Sequence, residues 1–172
     1  TQALLAGQPR RFDLGRVEKN PAGEIVSIDL TSTWITDADL EPVGKISSLR
    51  KLNLAHTRIT DVGIEHLKPL QNIVELNLYY AEYLTDTALA HLRGWKHLEV
   101  LNLRGVRLTS QAFEHLSQLT ALRSLDIAFT EVEDDGFEQL SSLTKLESLA
   151  VGGNRLSGSA LSSLKLLPAL RT

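Results

Sequence analysis

The chain has 172 residues with 18 Lys and Arg against 21 Asp and Glu, a formal charge of -3, which suits one domain; bulk charge implies neither a basic nor an acidic partner, and no nucleic acid. Hydrophobic residues at 42% and charged residues at 23%, with no apolar run of about 18 residues, exclude a disordered chain and a membrane-spanning helix. Cys is absent, which excludes disulfides, Cys-ligated zinc, iron–sulfur clusters and a thiol nucleophile, and leaves the redox compartment open.

The chain starts at Thr1-Gln2 with no Met and without the basic-then-apolar order of a signal peptide, and so reads as a processed protein or an excised fragment. Residues 1–24 are predicted to form an N-terminal cap. Within them Gly15–Lys19 leads into the turn-forming Asn20-Pro21-Ala22-Gly23, and Glu24–Ile28 comes next, the pattern of a β-hairpin. Ala3, Leu4, Leu5, Phe12, Leu14 and Val17 would cover the first apolar face of the segment beyond the hairpin.

From Ile25 onward one period governs the sequence. Thirty-three residues are Leu, and with Ile and Val they build aliphatic triplets opening at Ile25, Leu49, Ile73, Leu98, Leu122 and Leu146, at intervals of 24 or 25 residues. These define six units, 25–48, 49–72, 73–97, 98–121, 122–145 and 146–169, with 170–172 starting a seventh and stopping. In each unit the x-aliphatic-x-aliphatic part has period two and predicts a short strand. A further aliphatic comes after it, often before Thr-Asp, as in Thr36-Asp37, Thr60-Asp61 and Thr85-Asp86. Apolar residues three apart then predict a short helix, its first free N–H groups capped by Asp or Ser. Trp95 stands where other units have Leu and is predicted to be core. Neither piece buries its apolar side alone, so the units must stack, strands on one side and helices on the other. The unfinished seventh unit implies an open strand edge, a route to self-association of an otherwise monomeric chain.

Segments such as Leu49-Arg-Lys-Leu-Asn-Leu-Ala-His-Thr-Arg-Ile-Thr-Asp-Val-Gly-Ile64 resemble the leucine-rich repeat family. The Thr-Asp-x-Gly-Leu/Ile form is similar to repeats of bacterial proteins and of F-box-type receptors. The longer third unit, Leu76-Asn-Leu-Tyr-Tyr-Ala-Glu-Tyr-Leu-Thr-Asp86, resembles the cysteine-containing F-box subtype, with Ala81 in place of Cys. The resemblance implies an α/β solenoid, a right-handed horseshoe arc with a parallel sheet on the concave side and short helices on the convex side. It implies a binding role more readily than a catalytic one, since one fold hosts many functions. Likeness to bacterial repeat proteins points to an envelope or secreted setting, with the cytoplasm left open.

The repeat aligns the residues between the aliphatics into rows across the strand side, about 4.8 Å apart. One row is Asp29, Asn53, Asn77, Asn102, Asp126 and Ala150, which is expected either to hydrogen-bond sideways along the sheet or to meet a ligand. The next two rows carry Tyr79, Arg104, His56, Tyr80 and Phe129, in a chain with only two Trp, three Tyr and four Phe. Tyr and Arg carry much binding energy at interfaces. Tyr79, Tyr80, Arg104 and Phe129 are therefore the predicted anchors for a protein or peptide partner, with His56 at the margin and Glu75, Asn77, Asn102 and Asp126 as polar surround. A loop row, Trp34, Arg58, Tyr83, Arg107, Glu131 and Arg155, either extends that site toward an acidic partner or is a set of solvated side chains.

His66, His91 and His115 share one helical-side position. A solvent-facing consensus position is favoured there over zinc binding, because no carboxylate recurs beside them to complete a site. No Gly-rich phosphate loop, His-Glu-x-x-His or Gly-x-Ser-x-Gly motif is present, and His56 near Asp29 or Asn53 is the one acid–base grouping. The chain is thus expected to be a non-catalytic recognition module without cofactor or metal. Two alternatives remain: a targeting arm of a larger enzyme or ubiquitin-ligase-like assembly, and a glycan or cell-envelope binder.

Overall fold

Alternation of polar and aliphatic residues through each triplet turns one side chain inward per strand, and that is the arrangement found. In the computed structural model, which describes residues 15–172, the strands are β1 (Arg16–Lys19), β2 (Ile25–Asp29), β3 (Lys51–Asn53), β4 (Glu75–Asn77), β5 (Val100–Asn102), β6 (Ser124–Asp126) and β7 (Ser148–Ala150). They form one sheet in chain order. From β2 onward every pairing is parallel and in register, so that Ile28, Leu52, Leu76, Leu101, Leu125 and Leu149 lie abreast. β1 pairs antiparallel with β2 across a turn in which Asn20 Oδ1 accepts from the Ala22 and Glu24 N–H groups. Val17 is exposed and does not supply the cover expected of it; Ala3, Leu4, Leu5, Phe12 and Leu14 lie outside the described residues.

The apolar residues spaced by three produce α1 (Leu40–Val43), α2 (Asp61–Glu65), α3 (Asp86–Ala90), α4 (Ala112–Leu116) and α5 (Gly158–Ser162), with 3₁₀ turns at Asp37–Asp39, Phe137–Ser142 and Ser163–Leu166. A strict period of three is the 3₁₀ pitch, which is why helices this short mix the two forms. Such pieces are unstable alone and are held by burial. One continuous core runs from Ile25 to Leu167 between sheet and helices, and each fully buried Leu or Ile in it contributes roughly 1.5–3 kcal/mol. Its largest side chains are Trp95, Phe113 and Phe137, the two Phe rings meeting edge-on at 5.4 Å. Trp95 is core as its repeat position requires, and its Nε1–H has no hydrogen-bond partner among the described residues.

The Thr-Asp pairs join successive units. The Asp37 carboxylate accepts from the Thr60 N–H and hydroxyl, both at 2.7 Å. Asp61 does the same for Thr85, Asp86 for Thr109 and Asp134 for Ser157. At the remaining junction Ser110 Oγ exchanges hydrogen bonds with the Glu133 backbone. The expectation of an Asp or Ser cap holds for Ser157 in α5, which accepts from the Ser159 N–H, and is corrected for Asp in α2 and α3, where the cap is the Thr hydroxyl, accepting from Val62 and Thr87 N–H groups. Asp points across to the next unit because the Thr already occupies the cap. Gly63 leaves the space through which Asp37 reaches Thr60, since a side chain there would collide with that carboxylate.

At the C-terminal end the apolar residues are less covered: Leu149 and Val151 are half-buried, while Leu161 and Leu166 are exposed. The bare edge expected at β7 is partly paired. Leu149 N–H donates to the Thr172 carbonyl at 2.7 Å, and the Arg171 and Thr172 N–H groups donate to Glu147, because Leu170–Thr172 already follows the strand pattern of its predecessors.

Candidate functional site

The polar row at the strand ends sets the geometry of the turns beyond it. Asp29, Asn53, Asn77, Asn102 and Asp126 each accept, through Oδ1, the N–H of the residue two positions on, at 2.9–3.1 Å. The sideways ladder expected for this row is not what forms. A short Asn or Asp side chain at a strand end reaches its own backbone first and closes a turn. The sideways bond at this row runs from Arg104 Nη1 to Asp126 Oδ2 at 3.3 Å.

Each of these five turns, and the corresponding turn after Ala150, then passes through a left-handed residue. Ser32, His56, Tyr80 and Phe129 have φ of 50–57°, and Gly105 and Gly153 have φ of 73° and 77°. The six positions are one row of the sequence. They crown the strand ends rather than lying on the sheet, a placement that the repeat spacing did not reveal, although two Gly in the column were a signal for positive φ. Neighbouring turns are tied by backbone bonds, among them His56 N–H to the Tyr79 carbonyl and Tyr80 N–H to the Arg104 carbonyl.

Along this crown the rings meet. His56 stacks on Tyr80 at 5.8 Å and 10°, and Tyr79 stands edge-on to both, at 5.1 Å from His56 and 4.7 Å from Tyr80. The Tyr80 ring lies over Gly105 and the Phe129 ring over Gly153, so closely that a Cβ on either glycine would strike it. The Arg104 guanidinium sits 4.8 Å from the Phe129 ring centre. Tyr79, Tyr80 and Arg104 are half-buried, His56 is exposed, and Phe129 is 53% exposed. The structure thus brings the four predicted anchors and the marginal His56 into two adjoining groups, His56–Tyr79–Tyr80 and Arg104–Phe129. Of the polar surround, Asn77, Asn102 and Asp126 are held by their turns, and Glu75 pairs with Lys51 at 3.0 Å, which raises the Lys51 pKa chiefly through that hydrogen bond.

On the loop row Trp34 is 70% and Tyr83 58% exposed. The Arg58 guanidinium lies 4.9 Å from the Trp34 ring, and Arg107 is exposed. On the helical side His66, His91 and His115 are half-buried rather than solvent-facing. Burial first, then a neighbouring cation, lowers the pKa of His91 and His115; His115 Nδ1 accepts from Arg93 Nε at 3.1 Å. Among the described residues no three His, Cys, Asp or Glu side chains are grouped to hold a metal ion, and no helix is long and apolar enough to cross a membrane. A depression of about 690 Å³ beside α4 is lined by Glu114, Glu131, Glu133, Asp135 and Glu138 among others, and none of the crown rings lines it.

A family model described as "Leucine Rich repeat" matches residues 45–68 and 118–141. The chain has the leucine-rich repeat fold, and the two matched stretches are repeats of that type. No curated protein matches it. Among solved leucine-rich repeat structures it is similar to an internalin, inlF, from Listeria monocytogenes, with 22% identity and a TM-score of 0.69 over 80% of this chain and 37% of that one. It is also similar to internalin C2 of the same organism, at 25% identity and a TM-score of 0.58 over 88% and 75% of the two chains. A third is the leucine-rich repeat ectodomain of the Arabidopsis receptor kinase HAESA, solved with an IDA peptide hormone ligand, at 21% identity and a TM-score of 0.60 over 90% and 30%. The chain spans little more than a third of the inlF chain and less than a third of the HAESA ectodomain.

Proposed function

We propose that this leucine-rich repeat chain is a non-catalytic recognition module whose strand side binds a protein or peptide, with Tyr79, Tyr80, Arg104 and Phe129 as anchors and His56 at the margin. One observation carries the reading. His56, Tyr80 and Phe129 hold left-handed backbone, which costs a non-Gly residue roughly 1–2 kcal/mol, at positions where two other units use Gly. Strain of this kind persists where the side chain serves something beyond the backbone. The core does not need these rings: His56 and Phe129 are exposed and Tyr80 is half-buried. Rings floored by glycine and bracketed by Arg104 offer the rigid, amphipathic area that interfaces use.

The HAESA ectodomain in complex with a peptide hormone supports a peptide or protein as the partner class, by analogy of fold. Within the family, Ala81, fully buried in the longer third unit, supports placing the repeats in the Thr-Asp-x-Gly-Leu type with a small residue in the buried cysteine slot. The N-terminal hairpin and six units, from 25–48 to 146–169, are the division of the chain we adopt. The test is capture of the partner, its purification, and titration against the parent chain and against Tyr80→Ala plus Arg104→Ala. Loss of affinity by tenfold or more, about 1.4 kcal/mol, with the melting temperature kept within a few degrees, is the expected result; undiminished affinity removes the site.

A further inference from the structure

The loop edge beside the crown carries a surface of its own. In successive units one repeat position holds Trp34, Arg58, Tyr83 and Arg107, ring and guanidinium in alternation. All four are exposed, Trp34 to 70% and Tyr83 to 58%. Trp34 and Tyr83 thus bring two large exposed aromatic side chains to one edge, together with Arg the residue types that interfaces favour. The Arg58 guanidinium carbon lies over the Trp34 ring at 4.9 Å, a cation–π contact that occupies the ring without consuming the guanidinium's hydrogen-bond donors. No carboxylate lies within ion-pair distance of Arg58 or Arg107 among the described residues, although the exposed Glu82 adjoins Tyr83 within the stretch and Glu131 follows it, whereas Arg155 further along is paired with Glu133.

Spacing narrows the partner. The turns just before this row are bonded unit to unit through the backbone, from Ser32 N–H to the Ala55 carbonyl through Gly105 N–H to the Ala128 carbonyl, so neighbours keep the spacing of the sheet, about 4.8 Å. Arg58 and Arg107, two units apart, are then separated by roughly 10 Å of backbone on that spacing. A polyproline II helix rises about 9.3 Å over three residues and returns the same face. Carboxylates three residues apart would therefore reach both arginines, with a proline or aliphatic side chain between them against Tyr83. A polysaccharide sulfated along its length would instead set charge against the two rings.

We propose that Trp34, Arg58, Tyr83 and Arg107 form a docking surface for an acidic peptide segment in polyproline II form. It uses residues other than the crown, and it stands or falls independently of the crown's role in recognition.

The test is fluorescence anisotropy with a fluorescein-labelled Glu-Pro-Leu-Glu-Pro-Leu-Glu peptide, a Gln-for-Glu control peptide, and a heparin-derived sulfated oligosaccharide as competitor. The acidic peptide is expected to bind saturably and more weakly as salt rises. Arg58→Gln plus Arg107→Gln, at exposed positions, should lower its affinity at least about tenfold without moving the melting temperature, Tyr83→Ala should weaken it, and Tyr80→Ala should not. Equal binding of the Gln peptide, undiminished affinity of the double variant, or binding of the sulfated oligosaccharide but not the peptide would overturn the proposal.

Discussion

His56, Tyr80 and Phe129 show how one dihedral angle links sequence to surface. An Asn or Asp at the strand end closes a turn, the turn demands positive φ, and the side chain at that point stands at the end of the strand rather than in the core. Gly105 and Gly153 meet the same demand without a side chain and so give the preceding ring a floor. Gly105→Ala should then destabilise the chain by at least about 1–2 kcal/mol, the left-handed penalty alone, with further loss from displacing the Tyr80 ring. Urea unfolding measures it, and an unchanged midpoint would contradict the turn geometry. Asp134 offers a second check. The Ser157 hydroxyl, then its backbone N–H, holds the Asp134 carboxyl below its ordinary value of 3.8. A depressed folded pKa means that the native state binds fewer protons than the unfolded one. The contribution is complete above the unfolded value and is lost as pH falls through the folded one. NMR titration should show Asp134 moving back toward the ordinary range in Ser157→Ala; an unmoved titration would show that the inter-unit clasp does not form.

The strand–turn–helix unit was legible because its aliphatic positions repeat with so little variation that each residue's facing follows from its place in the period. Two features within the unit were not. Asp61 and Asp86 read as helix caps, since Asp at a helix start is an ordinary cap, yet the cap is Thr and the Asp bonds to the following unit. A single unit read by itself cannot display an inter-unit bond. The row of Asn and Asp read as either a ladder or a ligand contact, yet each side chain bonds the N–H two residues onward, because a local partner costs less chain entropy than a neighbouring strand's. The third unit adds a test of packing. Trp95 fills a Leu slot completely and leaves its Nε1–H without a partner among the described residues. An unsatisfied buried donor costs about 1–3 kcal/mol, so Trp95→Phe, which removes the donor and loses part of the ring volume, should leave stability within about 1–2 kcal/mol of the parent. Trp95→Ala should cost about 3–5 kcal/mol. Equal losses for the two variants in urea unfolding would mean that the N–H is satisfied and that the ring's full volume is required.

As a whole the molecule is a one-dimensional stack in which each unit touches its neighbours, so that overall form follows from the count and order of units. That is why the fold could be read from Leu positions while the recognition surface could be read only as rows. Spacing places Tyr79, Tyr80 and Phe129 on one side, but the left-handed turns, the His56–Tyr80 stack and the seat of Arg104 over Phe129 depend on side-chain directions that no period encodes. The central claim is that this side meets the partner. It is tested most directly by placing a photo-cross-linking amino acid at Phe129 on the crown and, in a separate variant, at the exposed Lys145 at the far end of the same unit, then irradiating each in extracts of the source organism. The account predicts a discrete adduct from position 129 that is lost on adding Tyr80→Ala and Arg104→Ala, and none from position 145; adducts from 145 alone, or from 129 regardless of those substitutions, would contradict it.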